Sequence, residues 1–334
     1  MYQFNKILVT GAAGFIGCNF VSYLLSRFNN IHIYCLDKLT YAGNLENLNM
    51  IPEKDRFTFI HGDICDKKLV DSLLRKYEIE TIVHFAAESH VDRSITNPQE
   101  FIQTNVMGTF VLLESAKQFW LNEKKWNGDN CRFHHISTDE VYGTLTFDDP
   151  PFHEKTPYAP NSPYSASKAA SDHLVRSFFH TFSLPVTTSN CSNNYGPFQH
   201  SEKLIPTVIR SCLENKPIPV YGDGKNIRDW LFVEDHCSAI VKIIQMGRLG
   251  EVYNIGGKAE CNNISLVKSI CELLDELKPH EEKYCELISF VKDRPGHDWR
   301  YAIDNTKIQT ELGWSPEHTM EQGLKQTVLY YLNR

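Results

Sequence analysis

The chain has 334 residues, of which 42% are hydrophobic and 22% are charged, a composition typical of a globular protein with a sizeable core. Its formal net charge of −7 argues against a general nucleic-acid-binding protein, although it is compatible with a local basic site for a diphosphate. No apolar run reaches the roughly 18 residues that indicate a membrane span, so we expect neither a nucleic-acid nor a membrane partner.

The ten cysteines are scattered along the chain, and none of them forms a Cys-x-x-Cys pair. Most lie in apolar runs, as expected for small buried hydrophobic residues in a reducing cytoplasm rather than for a disulfide or metal framework. Histidines such as His134 and His135 lack the spacing of metal ligands. The sequence therefore predicts a cytoplasmic protein with no signal peptide and no metal site.

The first predicted unit is a short apolar strand, Lys6–Thr10, followed without a gap by a glycine turn and a helix. Gly11 permits a tight turn, Gly14 lets the backbone approach a pyrophosphate, and Gly17 allows close packing of the helix on the strand. A glycine trio alone could be an ordinary turn. The strand before it and the helical spacing of apolar residues after it favour a dinucleotide-binding unit.

Three further strands are predicted at residues 31–36, 57–62 and 81–87. Asp37 ends the first of them. An acid there can hydrogen-bond the adenosine ribose 2′-OH and repel a 2′-phosphate, which favours NAD over NADP, although Lys38 beside it weakens this preference. Residues 101–116 are predicted to form a helix, and residues 118–130 a polar surface connection.

Residues 133–137 predict a buried strand that stops at Thr138, Asp139 and Glu140. In open α/β sheets, ligands bind at the carboxyl ends of strands. Because adjacent strand residues point to opposite faces, both acids can serve one site only if the chain turns after Thr138. The same residues would also suit an ordinary helix start, with Thr138 as N-cap and two acids favouring the dipole, and both interpretations can hold together.

Tyr164 and Lys168 are four residues apart, so on a helix they share one face, where an ammonium would lower the pKa of the tyrosine. With Thr138, this pair resembles the short-chain dehydrogenase/reductase superfamily, whose extended branch shares the Gly-x-x-Gly-x-x-Gly spacing. Ser-Thr-Asp-Glu-Val-Tyr-Gly at 137–143 and Tyr-Ser-Ala-Ser-Lys at 164–168 are similar to the nucleotide-sugar 4,6-dehydratase family. The similarity extends from residue 6 to about residue 330.

The fold that this resemblance implies is an α/β protein, a Rossmann-type doubly wound parallel sheet with a smaller C-terminal α/β lobe. We expect the NAD-binding domain to comprise residues 1–189, with segments near 230–239 and 252–257 returning to the sheet. The lobe that binds the nucleotide sugar would be mainly residues 190–334, beginning where the composition shifts toward turn-forming residues. The family also implies a homodimer formed through two helices of each Rossmann domain.

A 4,6-dehydratase oxidises C4 of dTDP-glucose or UDP-glucose with bound NAD, eliminates water across C5 and C6, and reduces C6. It needs a base at O4, a base at C5 and an acid at O6. By resemblance, Tyr164 is the O4 base, Thr138 hydrogen-bonds O4, and Lys168 lowers the tyrosine pKa and binds the nicotinamide ribose. Asp139 is the acid and Glu140 the C5 base. Asp139 must then be protonated at neutral pH, which requires burial or a like-charged neighbour such as Glu140.

The resemblance also implies two sets of binding residues. NAD is expected to contact Gly11, Gly14, Phe15, Ile16, Gly17, Asp37, Lys38, Leu39, Thr40, Asp63, Ile64, Phe85, Ala86, Ala87, Ser89, Thr104, Ser137, Tyr164, Lys168 and Asn194. The nucleotide sugar is expected to contact Ser89, Thr138, Asn193, Lys203, Leu204, Pro219, Val220, Tyr221, Arg228, Asn263, Asp293, Arg294 and His297. Taken singly, Arg228 or Arg294 is better explained as an ordinary salt-bridge partner, and only the resemblance favours the phosphate role.

Two other functions share parts of this pattern. A nucleotide-sugar 4-epimerase has the same cofactor site and Tyr–Lys pair but needs no acid and base at C5 and C6, and a non-catalytic NAD-binding regulator needs only the glycine turn. Asp139 and Glu140 therefore favour the dehydratase. Phe-Gln-His-Ser at 198–201 and Lys258-Ala259 depart from the usual bacterial pattern, which leaves thymine or uracil open as the base.

Overall fold

The computed structural model describes residues 1–293 and 296–334. In this part of the chain the strands are β1 Lys6–Thr10, β2 His32–Asp37, β3 Phe57–His61, β4 Thr81–His84, β5 Arg132–Thr138, β6 Val186–Cys191, β7 Asn193–Tyr195, β8 Ile218–Tyr221, β9 Ile227–Phe232, β10 Val252–Ile255, β11 Glu260–Asn262 and β12 Ile288–Val291. The α-helices are α1 Phe15–Arg27, α2 Leu45–Asn49, α3 Lys67–Tyr77, α4 Val91–Thr96, α5 Pro98–Phe101, α6 Thr109–Ala116, α7 Pro163–Phe182, α8 Leu204–Leu213, α9 Val233–Met246, α10 Asn263–Leu277, α11 Thr306–Leu312 and α12 Met320–Leu332.

A large parallel sheet carries the site. Its strands stand in the order β10-β6-β5-β4-β1-β2-β3. The order reverses between β1 and β4, so a crevice opens at the carboxyl ends of these strands, where sheets of this kind bind ligands. The predicted Rossmann-type sheet is confirmed.

Helices cover both faces of this sheet, which is why its central strands are buried along nearly their whole length. On one face α1 and α9 pack around a core that includes Phe20, Val21 and Ile240. On the other face α3, α6 and α7 pack over Leu112 and Phe133. The sheet is therefore a rigid platform for the residues at its carboxyl edge.

The glycine turn brings α1 very close to the end of β1. Gly11 has a φ of +68°, which favours glycine. A Cβ on Gly17 would lie 2.1 Å from the carbonyl oxygen of Gly11, a distance no side chain can occupy. The predicted reason for Gly17, close helix–strand packing, is confirmed.

Two small sheets form the C-terminal part, with β9 between β7 and β11 in one and β8 paired with β12 in the other. The predicted return of the chain to the large sheet is confirmed for β10, which pairs with β6. It is wrong for residues 230–239, because β9 ends at Phe232 and α9 begins at Val233 and packs against α1. A short apolar run does not by itself distinguish a buried strand from a buried helix.

Helical structure is continuous from Pro98 to Glu123, because π-helical turns at Ile102–Gly108 and Lys117–Glu123 flank α6. The predicted polar surface connection at 118–130 is therefore wrong in its first part. Trp120 is fully buried, and its indole N–H donates to the carbonyl of Ile79 at 2.7 Å. None of the described helices is long and apolar enough to cross a membrane.

Candidate active site

The end of β5 places two acids at the carboxyl edge of the sheet. The strand stops at Thr138, and Asp139–Tyr142 forms a 3₁₀ turn directly after it. The Thr138 hydroxyl accepts a hydrogen bond from the Glu140 amide at 3.3 Å, so Thr138 is indeed the N-cap of this turn. The turn interrupts the alternation of the strand, as expected, so both acids line the same cavity.

Helix α7 carries the Tyr–Lys pair. It begins with a capping box between Ser162 and Ser165 and with Pro163 in its first turn, a combination that fixes the helix start firmly. Tyr164 and Lys168 are both buried, and the Lys168 ammonium donates to the carbonyl of Ile136 on β5 at 2.7 Å. The helix is therefore held against the strand that ends in the two acids.

Asp139 has the environment of a proton donor. It is 1% exposed, and its Oδ2 has no hydrogen-bond partner among the described residues. Burial raises the pKa of Asp139 well above its usual value, and the charges of Glu140 and Asp229 raise it further. The expectation that burial and Glu140 would favour the protonated acid is confirmed.

Burial is the main influence on the pKa of Tyr164 in this structure. Burial, followed by the charge of Glu140, raises the pKa of Tyr164 well above its usual value, while a hydrogen bond with Thr138 lowers it. The lowering of this pKa by Lys168 stays a prediction, because in this structure burial has the larger effect and the ammonium donates to the Ile136 carbonyl. Burial also lowers the pKa of Lys168 itself.

A cavity of about 370 Å³ runs along the carboxyl edge of the sheet. All of the residues expected to contact NAD line this cavity except Leu39. Leu39 has a φ of +53°, and its side chain packs against the core beneath the sheet. A single side chain in an irregular segment has no periodicity from which its direction could be inferred.

The cavity fits a dinucleotide. Gly14, which has no side chain, occupies the N-cap position of α1, so the first amides of the helix can receive a diphosphate. The Asp37 carboxylate is held at the end of β2 by the amides of Ala13 and Leu39, at 2.9 and 2.8 Å. Beside it Lys38 forms an ion pair with Asp63 at 2.8 Å. The Lys38 charge, which had weakened the preference for NAD over NADP, is therefore paired with Asp63.

The residues expected to hold the nucleotide sugar fall into two groups. The first lines the main cavity and consists of Ser89, Thr138, Asn193, Lys203 and Leu204. The second lies outside its lining, in the C-terminal part, and consists of Pro219, Val220, Tyr221, Arg228, Asn263, Asp293 and His297. Arg294 lies outside the described residues. The residues of the second group lie far apart in the sequence, so their positions relative to the cavity could be learned only from the fold.

Part of the second group is brought together around β8. The ring of His297 lies 6.4 Å from that of Tyr221, and His297 Nδ1 is 2.7 Å from a carboxylate oxygen of Asp293. Arg228 is buried instead, and its guanidinium donates to the main-chain carbonyls of Ile227 and Asp298. These contacts join the start of β9 to the segment around residue 298, and the predicted interaction of Arg228 with a phosphate stays a prediction.

Several cavity residues were absent from the predicted set. They include Tyr41, Glu88, His90, Ser192, Gln199, His200 and Trp230. Tyr41 lies in an irregular segment after β2, and the Arg93 guanidinium stands 3.6 Å from the centre of its ring. Glu88 and His90 directly follow the strand-end residues 85–87, a position that could have indicated them.

Comparison with known proteins agrees with this geometry. A family model described as GDP-mannose 4,6 dehydratase matches residues 8–327. The chain is 57% identical over 327 residues to the dTDP-glucose 4,6-dehydratase of Xanthomonas campestris, covering 97% of this chain and 92% of that protein. It is 53% identical to the dTDP-glucose 4,6-dehydratase of Salmonella typhimurium, with coverages of 98% and 92%.

Two solved structures show how far the fold is shared. A dTDP-glucose 4,6-dehydratase from Bacillus anthracis, in complex with NAD, is 44% identical with a TM-score of 0.87 and covers 99% of this chain and 97% of its own. A UDP-glucose 4-epimerase from Thermotoga maritima, with UDP-glucose, is 27% identical with a TM-score of 0.86 and coverages of 98% and 99%. The fold is common to both enzymes, so the fold alone does not distinguish a dehydratase from an epimerase.

Proposed function

The chain belongs to the dTDP-glucose 4,6-dehydratase family, and from this premise we propose that it converts dTDP-glucose to the 4-keto-6-deoxy sugar nucleotide and water. The observation that carries the proposal is the pair Asp139 and Glu140, which line the same cavity as Tyr164. Asp139 is buried, and its surroundings favour its protonated form. A 4-epimerase has no use for an acid and a base beside the Tyr–Lys pair.

NAD, when bound in the cavity along the glycine turn, supplies the hydride acceptor for C4 and the hydride donor for C6. The residues of the chain move the protons. Tyr164 takes the proton of O4, and the hydrogen bond with Thr138 is the contact that favours its phenolate. Thr138 also orients O4, and Lys168 binds the nicotinamide ribose.

The two acids carry out the elimination. Glu140 is half-buried and removes the proton at C5, which the C4 ketone has made acidic. Asp139 gives its proton to the departing C6 hydroxyl, a role that requires the raised pKa that burial produces. The two roles are compatible, because the negative charge of Glu140 raises the pKa of Asp139 and so favours its protonated form.

The two parts of the chain divide this work. Residues 1–189, with the returning strand β10, would hold NAD, and residues 190–334 would mainly hold the nucleotide. The identity of the relatives favours thymidine over uridine as the nucleoside. Of the departures from the bacterial pattern, His200 lies in the main cavity against Tyr41, whereas the Lys258 ammonium lies at the surface, 3.4 Å from Gln309.

The proposed reaction is tested by incubating the purified protein separately with dTDP-glucose and UDP-glucose and identifying the products by mass. We expect a product lighter than the substrate by one water, formed faster from dTDP-glucose. A product of unchanged mass with inverted C4 would instead identify an epimerase. Turnover of UDP-glucose alone would contradict the assignment of the base.

We also propose that two copies of the chain form a homodimer through α6 and α7. Apolar side chains are exposed on α6, on α7 and on the helical segments packed against them, namely Ile95, Ile102, Met107, Phe110 and Phe182. The Phe110 ring packs edge-on against the buried Phe178 of α7, which in turn contacts Phe182, so apolar side chains of the two helices adjoin each other. A second copy of the same surface would remove it from water.

Phe110→Glu should convert the dimer to a monomer, because it places a charge in the centre of the apolar surface. Light scattering coupled to size-exclusion chromatography measures the mass. Phe147→Glu is the matched control, since Phe147 is 75% exposed in the loop before α7 and should leave the dimer intact. A parent protein that is monomeric, or a Phe110→Glu variant that stays dimeric, would contradict the proposed interface.

A further inference from the structure

The carboxylate of Asp172 lies behind the catalytic pair, one helical turn after Lys168 on α7. The two residues are only 5% and 4% exposed. The Asp172 Oδ2 atom accepts hydrogen bonds from the Ser137 hydroxyl at 2.7 Å and from the Tyr158 hydroxyl at 3.0 Å. An ionised carboxylate is costly to bury unless its surroundings compensate for it, so these contacts indicate a specific role.

Asp172 and Lys168 contact the same short segment of β5. The Asp172 Oδ1 atom lies 3.1 Å from Nε2 of His135, and Oδ2 is bonded to Ser137. Between these two residues, the carbonyl of Ile136 accepts the hydrogen bond from Lys168. The two side chains therefore join α7 to the strand segment that immediately precedes the catalytic turn.

Among the residues that the structure describes, those that interact electrostatically with Lys168 include His84 on β4, His135 on β5, Cys191 on β6 and Asp172 on α7. Burial holds the pKa of both histidines well below the usual value, so both are neutral. Burial raises the pKa of the Cys191 thiol to about 12, so it is also neutral. Among these described groups, Asp172 is thus the one that can supply a negative charge.

Asp172 is itself charged at neutral pH. Burial raises the pKa of its carboxyl to about 6, and the Lys168 charge, the hydrogen bonds from Ser137 and Tyr158 and the charge of His173 oppose that rise. The carboxylate therefore predominates above about pH 6. Its charge favours the ammonium form of Lys168 against the effect of burial, which lowers the lysine pKa.

We propose that Asp172 is a positioning residue for the reaction: its buried carboxylate keeps Lys168 an ammonium ion and holds α7 against β5. It acts through Lys168 and Ser137 and does not itself touch substrate. Its effect on catalysis rests on the proposed function, but its effect on Lys168 is a property of the free protein and can be measured without substrate.

The test is the pH dependence of Lys168 acetylation by acetic anhydride, followed by peptide mass spectrometry, which reports the pKa of the amine directly. In Asp172→Asn, which keeps the size of the side chain but removes its charge, Lys168 should titrate at least about one pH unit lower than in the parent. With dTDP-glucose, the alkaline limb of the kcat profile should move to lower pH by a similar amount, with kcat reduced and KM little changed.

Tyr158→Phe is the matched control, because it removes a hydrogen bond from the same carboxylate but keeps the carboxyl group, which is ionised over the alkaline part of the acetylation profile. Lys168 should titrate in this variant close to the parent value. Equal titration of Lys168 in Asp172→Asn and the parent would overturn the proposal, as would an equal change in Tyr158→Phe.

Asp172→Glu provides a second test should Asp172→Asn fail to fold. Because this variant keeps the charge, it should keep the Lys168 titration even if kcat falls, and a lowered titration would contradict the proposal. A parent protein in which Lys168 titrates as expected but dTDP-glucose is not converted would contradict the proposed function and leave the inference about Asp172 standing.

Discussion

Glu140→Gln is expected to oxidise C4 of dTDP-glucose but to eliminate water about 10²–10⁴ times more slowly than the parent, the contribution that a general base typically makes. The substitution preserves size and hydrogen bonding while removing the group that takes the C5 proton. Tyr164, Thr138 and Lys168 stay in place, so reduced nicotinamide should accumulate on the enzyme. Absorbance after rapid mixing with substrate measures it, together with the yield of 4-keto-6-deoxy product.

A matched control is Glu154→Gln, which alters a glutamate outside the cavity lining whose carboxylate accepts a hydrogen bond from the Asn254 amide at 2.9 Å. This variant should dehydrate the sugar at the parent rate. If Glu140→Gln did so as well, the C5 base would lie elsewhere, and Asp139–Tyr142 would be only a well-capped turn.

Tyr164→Phe should show the opposite pattern, with neither reduced nicotinamide nor product. Loss of the phenol removes the O4 base, so oxidation of C4 should slow by about 10²–10⁴. Because Thr138 and both acids remain, the defect should lie in the first step alone. The same absorbance experiment measures this defect. If the 4-keto sugar nucleotide is supplied directly, the oxidation step is not needed, and the variant should still exchange the C5 proton with solvent.

Tyr142→Phe controls for the loss of a buried tyrosine hydroxyl. That hydroxyl donates to Asn254 at 2.8 Å, so its removal should reduce stability more than catalysis. Rapid reduction of nicotinamide by Tyr164→Phe, comparable with that of Tyr142→Phe, would exclude Tyr164 as the base.

The local signals in the sequence predicted the parts of the site that a single segment defines. The glycine turn, the end of β2 at Asp37 and the turn after Thr138 all follow from residue type and spacing within one strand–turn unit. The raised pKa of Asp139 could also be anticipated, since an acid at the end of a buried strand beside Glu140 has both causes built into the sequence.

Properties that depend on distant segments could not be predicted in this way. Trp120 lies in a largely polar stretch, and its burial depends on core residues and on the Ile79 carbonyl, which come from other segments. Tyr164 and Lys168 do share a helix face, but the Ile136 carbonyl decides where the ammonium points. Asp172 shows the same limit, because its spacing from Lys168 is visible in the sequence whereas its burial against β5 is not.

The central claim is that the chain eliminates water across C5 and C6, and isotope incorporation tests it most directly. The parent protein is incubated with dTDP-glucose in heavy water, and the product is examined by mass spectrometry and proton NMR. The proposed roles of Glu140 and Asp139 predict a 4-keto-6-deoxy product that carries solvent deuterium at C5. A product that retains the C6 hydroxyl, has C4 inverted and carries no deuterium at C5 would contradict the claim.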